Sequence, residues 1–313
     1  MNITLFDTSA ATDNLGDEII MNAIEKVVRQ LFPDAYIYKV ATHEYMSRVS
    51  RRILARSELS FVCGTNLLSS NMSFRGIQWK LNPWDVSVLD HAILCGVGWR
   101  DYDKKPNAYT RWLLGRVLKH NQVHSVRDRY TKERLSNIGV DVVNTSCPTL
   151  WELTPEHCAV IPQKKTDSVV TTLNWYRPSQ EIDADFLKAL TRNYKKVYFL
   201  PQTSQDIGYF EGLGVSGIKR ISPSMTTYNT FLENEDVDFI GHRLHGGIRA
   251  LQKLKRSLIT AVDNRATEIS RDTGLPIIDR PDLAGMEKWI WSEAPTTLAL
   301  PTEAISQWKQ QFA

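Results

Sequence analysis

At 313 residues the chain exceeds one ordinary domain of ~150 residues, and its 42% hydrophobic content is ample for two cores. Lysine and arginine number 38 against 35 aspartates and glutamates, and the resulting formal charge of +3 gives no reason to expect a nucleic-acid partner. No apolar run is long enough to cross a bilayer, and MNITLFD meets Asp7 too early for a signal peptide, so a cytoplasmic protein is expected.

Taken in order, Ile3 to Phe6 read as a strand and DTSAATDNLGDE as a polar turn. Ile19, Ile20, Ala23, Ile24 and Val27 then recur as the inward face of a helix running to about Leu31. Asp13 or Asn14 suits its cap, and Asp17 and Glu18 complement its dipole. A strand at Ala35 to Val40 follows, then a helix near His43 to Arg56, and a strand at Leu59 to Cys63 that runs into Gly64-Thr65-Asn66. The apolar run Ala92 to Val97 ends in Gly98, and Gln122 to Val126 form a short strand before Arg127-Asp128. Such βα alternation indicates a parallel sheet.

Pro148, Pro155 and Pro162, with the polar stretch Gln163 to Asp167, interrupt the pattern and mark a linker. Beyond it a strand at Ser168 to Leu173, a helix at Phe186 to Asn193 and a strand at Val197 to Leu200 are expected. A helix at Met225 to Asn234 and a strand at Leu258 to Val262 follow, and Leu283 to Trp291 and Glu303 to Phe312 are amphipathic, with Trp289, Trp291 and Trp308 packing. The fold class is therefore α/β, with two Rossmann-like domains facing a cleft: residues 1–155, residues 166–300, and a C-terminal helix over 301–313. Cys63, Cys95, Cys147 and Cys158 lack metal or redox spacing and read as reduced thiols. The basic clusters at Arg48 to Arg56, Lys119 to Arg134 and Lys253 to Arg256 read as solvated faces that also suit phosphorylated ligands or peripheral contact with an anionic membrane.

The stretch Asp236 to Ala250, DVDFIGHRLHGGIRA, carries the densest chemistry. Val237, Phe239 and Ile240 form a buried strand ending at Gly241, and Ile248, Leu251 and Leu254 recur at helical spacing, so His242 to Gly247 are expected to be the turn. At the carboxyl edge of an α/β sheet such a turn presents a helix N-terminus to anions. Arg243 can fork two hydrogen bonds to an oxyanion, His245 can exchange a proton near neutral pH, Gly246 and Gly247 allow close approach, and Leu244 and Gly246 are candidates for substrate contact. His242 and His245 share a spacing of three but have no third ligand nearby, so no metal is expected. The ordinary alternative is a capping histidine and a surface-paired arginine.

Other strand ends are weaker signals of the same kind. Asn14 and Asp17 are expected to project into the interdomain cleft, where a carboxylate accepts protons from an alcohol. Asn66 after the third strand, Ser125 and Arg127 around the 122–126 strand, Gln202 after Pro201 and Tyr228 near a helix start are further candidates for ligand contact.

Asn14 to Glu18 (NLGDE), Ser125 to Asp128 (SVRD) and Arg243 to Gly246 (RLHG) occur in this order, and with them the chain resembles the bacterial polysaccharide pyruvyltransferases over roughly residues 1–280. The resemblance implies a GT-B-like fold and transfer of the enolpyruvyl group of phosphoenolpyruvate to two hydroxyls of a sugar, forming a pyruvate ketal on an exopolysaccharide, capsule or lipid-linked glycan precursor. It implies phosphoenolpyruvate as donor substrate without a cofactor, residues 1–155 on the acceptor side and residues 166–300 on the donor side. It also implies that Arg243, His245 and Arg127 handle the donor. On this reading His245 is the acid and Asp17 the base. Lys255-Arg256 and Asp263-Asn264-Arg265 depart from the family's continuation, where a lysine is expected and Arg265 is the available substitute. The competing readings are a GT-B glycosyltransferase using a nucleotide sugar, since a diphosphate suits the same features, and a non-catalytic carbohydrate- or phosphate-binding protein.

Overall fold

A computed structural model describes residues 1–73, 78–100, 102 and 105–313. In chain order the elements are β1 (Asn2–Asp7), α1 (Leu15–Leu31), β2 (Tyr36–Ala41), α2 (Arg48–Leu54), β3 (Leu59–Cys63), β4 (Ala92–Cys95), α3 (Ala108–Val117), β5 (His124–Val126), α4 (Arg129–Ser136) and β6 (Val142–Asn144). They continue as α5 (Pro155–Ala159), β7 (Ser168–Thr171), α6 (Gln180–Asn193), β8 (Lys196–Phe199), α7 (Ser204–Gly212), β9 (Ile218–Arg220), α8 (Met225–Asn234) and β10 (Asp238–Gly241). The chain ends with α9 (Leu244–Gln252), β11 (Ser257–Ala261), α10 (Asn264–Thr273), β12 (Ile277–Asp279), α11 (Leu283–Trp291) and α12 (Thr302–Gln310).

Contacts divide the chain into a first unit of residues 1–12, 20–151 and 300–313 and a second of residues 13–19 and 152–299. The division differs from the continuous blocks read from the sequence at residues 13–19 and 152–155, which join the second unit, and at the C-terminal helix. The C-terminal helix α12 packs into the first unit, where Trp308 meets Phe61 and Trp151, and Phe312 meets Phe61, edge to face with ring centroids 5.4–6.0 Å apart. The turn holding Asn14 and Asp17 counts with the second unit.

In the first unit the parallel sheet has the order β2-β1-β3-β4, and the parallel bridge Val97↔Val126 continues it into β5-β6. Ile3, Leu5, Phe61 and Cys63 face Ile20, Ile24 and Val28 of α1, which accounts for the apolar periodicity of that helix. Leu113, Leu114 and Val117 of α3 pack on the opposite face with Phe6, Val62 and Leu94.

The second unit is a six-stranded parallel sheet of order β12-β11-β10-β7-β8-β9. Chain order runs outward in both directions from the β10/β7 pair, so the connections after β7 and β10 diverge there and leave a crevice at the carboxyl ends of those strands. The strands are short and buried on both faces, as parallel strands must be when helices cover both sides. α9 starts at Leu244, earlier than the turn over His242 to Gly247 read from the sequence, so Gly246 and Gly247 lie inside the helix. Their role is close packing: a Cβ on Gly247 would fall 2.5 Å from Ile259 Cγ1 and 2.9 Å from Phe239 Cε1.

Several elements carry too little pattern for the sequence to reveal them. β6, β9 and β12 are three residues long, α4 and α10 are largely polar helices, and α7 is nine residues with only a weak apolar face. All four cysteines are unpaired and buried, and burial pushes the Cys63, Cys95 and Cys147 thiols up. Among the described residues no helix is long and apolar enough to cross a membrane.

The packing of α9 on its sheet gives a test with a decisive sign. Helix propensity alone would make Gly247→Ala stabilising by ~1 kcal/mol. Overpacking against Ile259 and Phe239 instead predicts a destabilisation of about 1–3 kcal/mol in urea denaturation. An unchanged or higher midpoint would contradict the close approach.

Candidate functional site

The crevice of the second unit is built from four strand-to-helix connections. A recess there is lined by Asn14, Gly16, Gln202, His242, Arg243, Leu244, His245, Val262, Asp263, Arg265 and Ala266. These come from the start of α1 and from the loops after β8, β10 and β11. The N-terminal turns of α1, α9 and α10 therefore border one space, and each turns a positive dipole end toward it.

Main-chain bonds fix the β10 end to its neighbour: His242 N donates to the Thr172 carbonyl at 3.0 Å, and Arg243 N donates to Thr172 Oγ1 at 3.0 Å. The Arg243 fork is already engaged. Its Nη2 donates to both oxygens of Asp206 at 2.6 and 2.7 Å, and Nε donates to the Leu173 carbonyl at 2.9 Å. Asp206 also accepts from the backbone N–H groups of Gln202 and Thr203 at 3.0 Å each and of Trp175 at 3.3 Å. Two of the three guanidinium nitrogens expected to grip an oxyanion are thus spent within the protein, Nη2 on a carboxylate and Nε on a carbonyl. Nη1 has no hydrogen-bond partner among the described residues, and the side chain borders the recess as a positioned positive charge.

His245 lies in the first turn of α9, buried and on the recess wall beside Leu244. Gly246 admits Gln202, whose amide nitrogen occupies the position a Cβ would take. The Gln202 carbonyl accepts the Leu15 N–H at 2.9 Å, and its Nε2 is buried without a hydrogen-bond partner among the described residues. Asn14 caps α1 by accepting the Gly16 N–H at 3.1 Å, and its Nδ2 donates to Asp17 Oδ2 at 3.0 Å. Asp13 serves another helix: its carboxylate accepts from Ser204 N at 2.8 Å and Oγ at 2.6 Å at the start of α7, and these bonds hold Asp13 below the usual carboxylate range.

A second cluster closes the recess. Arg265 Nε donates to the two oxygens of Asp263 at 3.0 and 3.1 Å, Nη2 donates to Oδ2 at 2.6 Å, and Nη2 also bonds the Tyr176 hydroxyl. Burial opposes charge on both partners, but their mutual attraction wins, so Asp263 is held well below its ordinary value and Arg265 above. Asp17 adds to the field on Arg265. The side chain of Arg265 remains 22% exposed, against 7% for Arg243. Sequence reading named Arg265 only as a stand-in, yet it follows a strand end as Arg243 does. Asp206 was missed, although Thr203 and Asp206 have the Ncap–N3 spacing of a capping box.

Two expected contacts belong to the core. Tyr228 is fully buried, and its hydroxyl donates to the Gly246 carbonyl at 2.9 Å, which braces α9 from behind. Ser125, in the first unit, is equally buried; its Oγ accepts the Gly96 N–H at 2.9 Å and bonds Thr145 Oγ1 at 2.6 Å. Asp17 was expected on the acceptor side, but its turn belongs to the second unit with Asn14 and Arg265.

In the first unit Arg127 follows β5 with no exposed surface. Its guanidinium lies against Gly98, where a Cβ would collide with it, and Nη2 donates to Asn66 Oδ1. Nε stands 3.4 Å from Asp128, whose carboxylate also caps α4 through the Thr131 N–H at 2.7 Å. Nε and Nη1 have no hydrogen-bond partner among the described residues. A buried guanidinium with two unsatisfied nitrogens suits an anion. Among the described residues no group of three or more His, Cys, Asp or Glu is arranged to hold a metal ion.

His242 is buried under Phe186 with ring centroids 4.9 Å apart, and its Nε2 is 3.8 Å from Asp183. Burial holds its pKa down from 6.5 to about 4, with Asp183 opposing. The unfolded chain therefore binds more protons between those values, and the stability that depends on neutral His242 is complete above pH 6.5 and lost as pH falls toward 4. Replacing His242 by Phe is expected to flatten the fall in urea stability between pH 6.5 and 4.5 by a few kcal/mol at most. His124, also held to about 4 by burial, keeps its own share of the slope. An unaltered slope in the variant would contradict a neutral buried His242.

Among solved structures the chain is similar to the UDP-GlcNAc 2-epimerase of Methanocaldococcus jannaschii in complex with UDP-GlcNAc and UDP, at 10% identity and TM-score 0.53, covering 95% of this chain and 96% of that one. It is also similar to S. aureus MnaA with UDP, at 12% identity and TM-score 0.54, covering 94% of this chain and 91% of that one. At such identity the likeness is one of fold: α/β with Rossmann-like parallel-sheet units, of GT-B type as expected. Comparison with curated protein sequences gives no match. The family model described as polysaccharide pyruvyl transferase matches residues 14–264.

Proposed function

The chain belongs to the polysaccharide pyruvyl transferase family, and we propose that it transfers the enolpyruvyl group of phosphoenolpyruvate to a sugar of an exopolysaccharide, capsule or lipid-linked glycan precursor, forming a cyclic pyruvate ketal. The observation that carries this reading is His245 in the first turn of α9, on the wall of a recess shared with Arg243, Arg265 and the starts of α1 and α10. The donor carries a phosphate and a carboxylate, and a recess bordered by three helix N-termini and two arginines is a place for such a dianion. The second unit is the donor side on this reading and the first the acceptor side.

The reaction must deliver one proton to the methylene carbon, break the bond between the enol oxygen and the central carbon, and join that carbon to two sugar oxygens. Of the two hydroxyl protons lost by the sugar, one balances the new methyl group and the other leaves with phosphate. His245 is assigned the first proton transfer, since an imidazole at a helix start is an acid that reaches a ligand held on the same N–H groups. Asp17 is assigned as the base, held by Asn14 and near Arg265. Arg243, Arg265 and the α9 N-terminus offset the charge of the departing phosphate. Leu244, Gly246, Asn14 and Gln202 shape the recess. Arg127, with Asn66, is assigned to an anionic group of the substrates on the strength of its two unsatisfied nitrogens. No cofactor and no metal enter the scheme. A cytoplasmic setting belongs to the same reading, supported by four buried unpaired thiols.

Replacing His245 by Ala should lower acceptor-dependent phosphate release from phosphoenolpyruvate by about 10²–10⁴-fold while leaving the thermal midpoint near that of the parent. Undiminished turnover would remove His245 from its role. A comparable loss is expected for Asp17→Asn but not for Tyr228→Phe, whose hydroxyl only braces the helix.

A further inference from the structure

A ketal forms only if two sugar hydroxyls meet the carbon of a donor already held in the second unit. Some part of the acceptor must therefore rest on the rim of that same recess, wherever the rest of the glycan lies. The connection from β7 to α6 adjoins this rim: β7 is the strand beside β10 where the chain order diverges, and Tyr176 on the connection touches Arg243, Asp263 and Arg265 of the recess wall.

This connection carries adjacent aromatic residues, Trp175 and Tyr176, each 39% exposed, with ring centroids 6.4 Å apart and planes at 89°. Both are anchored to the charged groups of the recess. The Trp175 N–H donates to Asp206, the partner of Arg243. The Tyr176 hydroxyl bonds Arg265 and donates to Asp263 Oδ2 at 3.1 Å, and the Arg243 guanidinium lies 5.3 Å from the Tyr176 ring centroid. The other tryptophan surfaces of this unit are engaged differently: the Arg256 guanidinium lies over Trp289, and Trp291 is bonded to Asn193 with Lys165 over its ring. Trp175 has no cation over its ring and no partner for its indole N–H among the described residues.

We propose that Trp175 and Tyr176 form the acceptor-sugar subsite, with a pyranose ring stacked on the Trp175 face and its hydroxyls turned toward the recess. The apolar C–H face of a pyranose matches an aromatic plane, while its edge hydroxyls need polar partners, which the Asp263–Arg265–Tyr176 cluster supplies. Anchoring the aromatic pair through Asp206 and Arg265 ties sugar position to donor position. The inference rests on the sugar acceptor of the proposed function but not on the identity of the donor.

The test is saturation-transfer NMR on the full chain with methyl glycosides of glucose, galactose, mannose and N-acetylglucosamine, each with and without phosphoenolpyruvate, alongside thermal stabilisation by phosphoenolpyruvate alone. Wild type should transfer saturation to ring C–H protons of at least one glycoside. Trp175→Ala should weaken that binding about tenfold, Trp175→Phe should keep most of it, and stabilisation by phosphoenolpyruvate should be the same in all three. Full sugar binding by Trp175→Ala overturns the proposal, as does the absence of any sugar signal in wild type. Loss of phosphoenolpyruvate stabilisation in Trp175→Ala with sugar binding retained also overturns it and assigns the pair to the donor. If phosphoenolpyruvate stabilises none of the proteins while the sugar pattern holds, the donor assignment fails and the subsite stands.

Discussion

The second unit is organised by a single buried ion pair, Arg243 with Asp206. A guanidinium taken out of water at a strand end must be paired, and removing its partner typically costs 3–5 kcal/mol. Asp206 meets that requirement and at the same time accepts backbone N–H groups of Trp175, Gln202 and Thr203. One carboxylate thus holds together the connections after β7, β8 and β10. The position of His245, two residues beyond Arg243, follows from this constraint, as does the shape of the recess it borders.

The chemistry assigned to the recess depends on charge that is fixed before any ligand arrives. Asp263 and Arg265 repeat the arrangement of Asp206 and Arg243 at the next strand, with Tyr176 bonded into the second pair and its ring near the first. Neither arginine is a free side chain searching for an anion. Each presents remaining N–H groups from a held position, which lowers the ordering cost of binding and favours a developing charge over a diffuse one. The histidines in this stretch divide by environment: both border the recess, but the His242 ring packs on Phe186 and is held neutral by burial, whereas His245 sits in the first turn of α9.

Much of this was legible in the sequence, for identifiable reasons. The buried strand before Gly241 and the amphipathic helix after Arg243 have periods of two and 3.6 that survive in a single chain, and the polar residues between them mark a strand end. What the sequence concealed were relations set by tertiary contact. Nothing in RLHG says that one arm of the arginine is spent on Asp206, 37 residues away, or that the two glycines serve helix packing instead of a loop. Tyr228 and Ser125 have the residue types of ligand contacts, but their hydroxyls are consumed by the Gly246 carbonyl and by Gly96 and Thr145. Asp17 carries the right chemistry, yet only the contacts of its turn assign it to the second unit. Trp175 and Tyr176 have no periodic signature at all, because a loop aromatic is informative only once its neighbours are known.

The central claim is that the recess in the second unit receives a small phosphorylated enol acid on positive charge fixed by its own carboxylates. Calorimetric titration of the full chain with phosphoenolpyruvate, beside the same titration of Arg265→Met, tests it most directly. The account predicts saturable binding of phosphoenolpyruvate by the parent chain, at least tenfold weaker in the variant, a loss of about 1.4 kcal/mol or more. Equal affinity in both proteins, or saturable binding of a UDP-sugar where phosphoenolpyruvate gives none, would contradict it.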